Sequence, residues 1–157
     1  MKALMKVEPV RGAALVDVPV PAIGPNDLLV RVQAAALCGT DNHIWDWTPW
    51  AQARLTLPMI FGHEYCGEVV EVGASVSGFA AGDLVAAETH IPCLVCHQCR
   101  TGRQHTCEQM RIIGVHVDGA FSEYARLPAA CAWKLAAGTS PDLGAILEPI
   151  GVAANGL

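Results

Sequence analysis

Cys93, Cys96, Cys99 and Cys107 stand in the pattern Cys-x2-Cys-x2-Cys-x7-Cys, and a Gly62-His63-Glu64 turn lies about thirty residues upstream. Together they suggest two zinc sites. Four thiolates from one short loop close a tetrahedron around zinc and leave no open position, which makes that site structural and sends the search for chemistry elsewhere. Disulfides are the competing explanation. They fail because neighbouring cysteines three apart strain the bridge, and because seven cysteines is an odd count in a chain with no secretory signal.

An open, catalytic zinc needs about three protein ligands from Cys, His or carboxylate, and a fourth position for water or substrate. Cys38 and His63 with Glu64 or Glu148 can supply them. Taken alone, Cys38 reads first as a buried core thiol and His63 as a satisfied turn histidine. The neighbours change that balance. Cys38-Gly39-Thr40-Asp41-Asn42-His43 packs a thiol, a hydroxyl, a carboxylate and an imidazole into six positions, the groups that proton removal beside a metal requires.

These residues must be held by something, and the rest of the chain reads as strands. Val30, Val32 and Ala34 alternate with Arg31 and Gln33 as in a half-buried strand, behind a turn-rich entry of Pro19, Pro21, Gly24 and Pro25. Residues 66–72, 84–87, 119–127 and 131–135 read the same way, with Gly73, Gly78 and Gly82 as punctuation. The expectation is a mainly β domain, a partly open barrel with short helices in its connections, one of them over 40–47. Ser140-Pro141-Asp142 opens a helix through cap, first-turn proline and first-turn acid. It places Leu143, Ile146, Leu147 and Ile150 on one face and carries Glu148; Pro149 should kink it.

At 157 residues the chain supports one domain with a real core. A net charge of -5 with ten Lys plus Arg and no basic run argues against nucleic acid or an anionic membrane surface as partner. The N-terminus has charges where a signal peptide needs an apolar core, and no apolar stretch reaches membrane-spanning length, so the expected location is cytoplasmic.

Gly62-His63-Glu64-x2-Gly67-x5-Gly73-x2-Val76 resembles the signature of zinc-dependent medium-chain alcohol dehydrogenases, and the four-cysteine loop agrees with it. Cys38-Gly39-Thr40-Asp41-x-His43-Ile44, Trp47, Trp50-Ala51-Gln52, Pro58-Met59 and His90-Ile91 are similar to the L-threonine 3-dehydrogenase branch of that family. The resemblance runs over essentially the whole chain. It implies a GroES-like catalytic domain over 1–157, with 140–157 starting the helix that leads to a Rossmann domain. That second domain is not in this chain, which has no Gly-x-Gly-x-x-Gly and is expected to be inactive alone.

The resemblance further implies that Cys38 and His63 bind the catalytic zinc, with Glu64 and Glu148 as carboxylates that bind it or trade places with substrate. Thr40 and His43 would relay the hydroxyl proton to water. Asp41 would accept a hydrogen bond from His63 and fix its tautomer, or cap a helix, or both. His90 would contact the ammonium or carboxylate of an amino-acid substrate; the alternative is a loop histidine steadying the structural zinc. Trp45, Trp47 and Trp50 would wall a pocket or simply pack.

The function expected on this basis is NAD(P)-linked oxidation of a secondary alcohol, L-threonine to 2-amino-3-oxobutanoate, in a protein that is a homo-oligomer at full length. A polyol such as sorbitol is the second substrate, because the run from Glu148-Pro149 to Asn155 is closer to polyol dehydrogenases. An inactive zinc-stabilised module that binds another subunit is the alternative of a different class. Two departures from the family pattern stand out. Leu94 follows the first loop cysteine where glycine is usual, and Cys131 stands where the branch often has asparagine.

Overall fold

The computed structural model describes residues 1–156, so Leu157, the last residue of the expected connecting helix, lies outside the described residues. Strands dominate. The first sheet joins β1 (Lys2–Lys6), β2 (Ala14–Asp17) and β4 (Met59–Ile60) in the order β2-β1-β4. The second has five strands in the order β10-β6-β5-β3-β9, drawn from β3 (Asp27–Ala36), β5 (Glu64–Val72), β6 (Leu84–Ala87), β9 (Tyr124–Pro128) and β10 (Ala132–Lys134). A two-stranded ribbon pairs β7 (His90–Ile91) with β8 (Arg111–Ile112). This is the mainly β, curled-sheet architecture that the strand spacing predicts.

β3 is the spine. Its antiparallel pairing to β5 sets Val30 opposite Val69, and two register irregularities, at Leu29/Val30 and Val32/Ala34, bend the pair. Leu28, Val30, Tyr65, Val69, Val85, Ile113 and Leu127 are buried to within about one per cent and form the main core, while Arg31 pairs with Glu68 on the outer face at 2.8 Å. Burial of such side chains stabilises by about 1.5–3 kcal/mol each, against ~1 kcal/mol or less for the half-exposed ion pair.

The expected strand over 119–127 begins late. Residues 119–121 spend their backbone on the Gly-His-Glu turn instead: Gly119 N–H donates to Ile60 O, Ala120 N–H to Gly62 O and Phe121 N–H to Phe61 O. Gly62 itself has φ +89°, and a Cβ there would meet the Phe121 ring at 2.5 Å. Only glycine fits that turn, which delivers His63 and Glu64 to the start of β5.

The helix expected over 40–47 is α1 (Gly39–Trp45); it stops two residues early because Trp47 adopts φ 54°. Its Ile44 packs with Phe61 and Val115, and the short helix α2 (Pro49–Gln52) follows at once. Lys6 is completely buried and has no acidic partner. Its ammonium donates to Val10 O, to Gly12 O at 2.8 Å and to Trp45 O at 3.0 Å, and burial lowers its pKa. A cation on the last carbonyls of α1 is favourable for a helix C-terminus, and it ties α1 to the N-terminal segment.

After a helical turn, α3 (His97–Arg100), in the cysteine loop, the chain ends in two helices. Ser140 caps α4 (Pro141–Ala145), accepting from Leu143 N–H at 3.2 Å. The expected kink is a full break: α5 (Leu147–Asn155) starts afresh beyond Ile146. Pro149 explains it, since it has no N–H for the Ala145 carbonyl and its ring collides with that position.

Candidate active site

The four loop cysteines converge. Cys93 Sγ lies 4.0 Å from Cys99 Sγ, and Cys96 Sγ lies 4.0 Å from Cys107 Sγ. A zinc tetrahedron with sulfur at about 2.3 Å has edges of about 3.8 Å, so these residues fit zinc. Backbone N–H groups point at the sulfurs: Cys93 N–H to Cys107 Sγ at 3.2 Å, Cys96 N–H to Cys93 Sγ at 3.3 Å, and Gln109 N–H to Cys107 Sγ at 3.4 Å. The backbone N–H groups of Cys99 and Glu108 pull the Cys96 thiol down to about 6 and that of Cys93 lowers Cys107, whereas burial pushes Cys99 up to about 12. Leu94 adopts φ 62°, the left-handed conformation that the usual glycine makes easy, at a cost of about 1–2 kcal/mol.

Cys38, His63 and Glu64 form the second cluster, each offering one ligand atom, all within 4.8 Å of one another. They come from two stretches of the chain. Cys38 is the extended residue before α1, His63 follows the Gly62 turn, and Glu64 opens β5. Sulfur, imidazole and carboxylate in one place are a donor set for zinc with a position to spare. Glu148 stands outside that cluster but lines the same cavity of about 300 Å³, with Thr40, Trp50, Thr89, His90 and Val152 among the walls. A larger cavity, about 610 Å³, runs between the N-terminal segment and β9 and is lined by Met1, Met5 and Tyr124 without a cysteine or histidine.

Asp41 does two things. Its Oδ2 accepts the Cys38 N–H at 2.8 Å, holding the start of α1, and its Oδ1 lies 3.8 Å from His63 Nδ1. That distance is too long for the expected hydrogen bond, and both atoms are buried without a partner. Burial raises the Asp41 carboxyl and lowers His63. A neutral imidazole with Nδ1 turned to Asp41 keeps Nε2 for a metal.

Thr40 reaches the cavity; His43 does not. His43 is exposed, its Nδ1 lies 3.3 Å from Thr48 Oγ1, and its ring rests 5.8 Å from that of Trp50. Of the three tryptophans only Trp50 walls the cavity. Trp47 lies under the Lys6 ammonium, 5.3 Å from the ring centre, and Trp45 is partly exposed. These two pack.

His90 lines the cavity, and its pKa is raised chiefly by a hydrogen bond to Glu88. Burial raises Glu148, with the nearby Glu64 and Glu88 adding to it. Two residues here escaped the motif reading. Glu88 accepts from His90 N–H at 2.9 Å and from the His90 ring at 2.7 Å; Thr89 is 2% exposed, with a hydroxyl that has no partner. The signal for Glu88 was its position two residues before His90 at the end of an apolar strand. Cys131 also finds a role: its buried thiol donates to His90 O at 3.6 Å, backing the same segment.

Among the described residues no helix is long and apolar enough to cross a membrane. The chain is 50% identical over 155 residues to an L-threonine 3-dehydrogenase of Shewanella frigidimarina, a match that spans 99% of this chain and 46% of the relative. It superposes on an Escherichia coli alcohol dehydrogenase complexed with NADH with a TM-score of 0.88 at 31% identity, over 99% of this chain and 44% of that one. It does so on a cobalt- and zinc-bound thermostable alcohol dehydrogenase of Pyrobaculum aerophilum with a TM-score of 0.82 at 30% identity, over 94% and 44%. The chain thus spans about half the length of the relatives it matches. The model of the alcohol dehydrogenase GroES-like domain matches residues 24–137, from the entry to β3 through β10 and including both cysteine-containing clusters, and the chain belongs to that family.

Proposed function

We propose that this chain is the catalytic part of a zinc-dependent, NAD(P)-linked oxidoreductase that oxidises a secondary alcohol, L-threonine to 2-amino-3-oxobutanoate. One observation carries the reading: Cys38, His63 and Glu64 bring three different donor atoms within 4.8 Å of one another on the wall of a cavity sized for a small molecule. Residues 1–157 form the catalytic domain in this proposal, and 140–157 lead towards a dinucleotide-binding domain.

Cys38, His63 and Glu64 would hold the catalytic zinc, with Glu148 as the carboxylate that stands off it; Cys93, Cys96, Cys99 and Cys107 would hold the structural one. Zinc supplies Lewis acidity that lowers the pKa of the substrate hydroxyl. NAD(P) supplies the hydride acceptor. The chain's own residues do the rest. Thr40 offers a hydroxyl inside the cavity, and His43, one helical turn further along α1, faces solvent and passes the proton out. Asp41 keeps Cys38 and His63 in place. His90 and Glu148 set a cationic and an anionic group on the walls, which suits a zwitterionic amino acid. The run from Glu148-Pro149 to Asn155 keeps a polyol as second substrate. By the same resemblance the full-length protein would be a cytoplasmic homo-oligomer.

Zinc counted per chain by elemental mass spectrometry tests the proposal. Two zincs, one lost in C38A and the other in C99A, are expected, with NAD(P)H formation from L-threonine once a matching cofactor half is supplied. One zinc, kept in C38A, together with no turnover would make the chain a structural module instead.

A further inference from the structure

Between β6 and β7 the chain turns through Glu88, Thr89 and His90, and this turn separates two cavities. The inner one is the cavity of the Cys38, His63 and Glu64 cluster; the outer one, about 330 Å³, is lined by Glu88, His105, Met110 and Trp133. His90 lines both, and Glu88 lines only the outer. His90 is therefore the residue that the two cavities share.

One carboxylate oxygen, Glu88 Oε1, takes both the His90 backbone N–H at 2.9 Å and His90 Nδ1 at 2.7 Å. A carboxylate only accepts, so Nδ1 must carry the proton. The peptide N–H and the ring share one acceptor, which leaves the ring little freedom to swing. Cys131 fixes the carbonyl of the same residue from the core side, and Ile113 N–H donates to Thr89 O at 3.1 Å. The backbone of the turn is thus held on each side, and Nε2 is the ring nitrogen without a protein partner.

We infer that Glu88 is a positioning residue for the substrate-facing histidine: it commits the Nδ1 proton of His90 and presents Nε2 to the inner cavity. The inference rests on the proposed function for the identity of the ligand, not for the geometry. The same cavity is lined by Thr89, whose hydroxyl is buried and without a partner. A buried hydroxyl left unpaired costs about 1–3 kcal/mol, so this edge of the cavity suits a ligand with a second polar group next to the oxidised alcohol. With the proton held on Nδ1, the neutral ring presents Nε2 as an acceptor, which would take an N–H from the ammonium of such a ligand; a bare secondary alcohol has no second polar group to offer either atom.

The ring nitrogens report the arrangement directly. In the 15N-labelled chain at about pH 9, where ordinary imidazole is neutral, the Nδ1–H tautomer of His90 is expected to dominate. E88A should lose that preference and return His90 to the Nε2–H form common in free histidine. E88Q retains a carbonyl acceptor and should keep Nδ1–H. A wild-type His90 in the Nε2–H form, or an E88A chain that keeps Nδ1–H, overturns the inference. Neither readout needs bound zinc or turnover, so its failure is distinct from failure of the proposed reaction.

Discussion

The two cysteine-containing sites are built by opposite means. In the loop, all four sulfurs come from one continuous stretch and lie against one another, backbone N–H groups donate to them, and the metal-capable cluster consists of those four cysteines. In the cavity, Cys38, the adjacent pair His63 and Glu64, and Glu148 come from three distant stretches of the chain, and the Thr89 hydroxyl is buried without a partner. A local site can satisfy itself, whereas a site assembled by topology leaves groups waiting for something to bind. Unmet hydrogen-bonding capacity is the physical difference between a fastener and a workplace.

Breaking the loop should have the largest effect. C99A is expected to release one zinc and to leave 93–107 unprotected in hydrogen exchange, because structural zinc supplies on the order of 10 kcal/mol to such a segment. If the cavity site loses its metal too, the two sites are not independent. The converse test is in the core. Leu127, on β9 of the second sheet, is fully buried, so L127A should cost about 2–5 kcal/mol in denaturant unfolding and lower zinc affinity in the cavity before it does in the loop. Equal loss at both would erase the distinction between local and topological construction.

D41N comes next. It leaves the donor atoms in place and removes the charge beside His63, so metal affinity at the cavity should fall about 10–100-fold by competitive chelation while the loop zinc stays. In a reconstituted enzyme E88A should raise KM for L-threonine roughly tenfold, the loss of one charge-assisted hydrogen bond, and leave KM for butan-2-ol within about twofold.

The smallest effect is one of pH. Burial lowers the folded pKa of His63, so the unfolded chain binds the proton first as pH falls through about 6.5. Stability of metal-free protein therefore drops across that range, by the sign of proton uptake on unfolding, and H63Q should remove the His63 share of the slope. An identical slope in H63Q would show that His63 is not the desolvated imidazole the cavity requires.

The loop was fully legible in sequence because its ligands are neighbours and zinc geometry dictates their spacing. The central strand β3 was legible through alternation, and β5 and β6 as runs bounded by glycines. The cavity was legible only in part. Cys38, His63 and Glu64 were readable from motif, but Glu148 stands off the cluster and His43 turns to Thr48 and Trp50, because which side of α1 meets the cavity is set by Ile44 packing on Phe61 and Val115. The short strands β1, β2 and β4 carry too few residues to show a period, and the late start of β9 follows from hydrogen bonds to a turn almost sixty residues away. Lys6 was invisible for a similar reason: nothing in its neighbours announces a buried ammonium held by carbonyls.

The broken terminal helix decides how Glu148 is mounted. α4 packs on β3, β5 and β6, but α5 buries none of its own residues, and Ile150 and Val152 on it are exposed. One of the two carboxylates lining the cavity is thus carried on a helix that touches the sheet chiefly at β5 and otherwise rests on α4. Any displacement of α5 carries Glu148 with it, and a body that bound α5 would act on the cavity only in proportion to how differently it binds two placements of that helix.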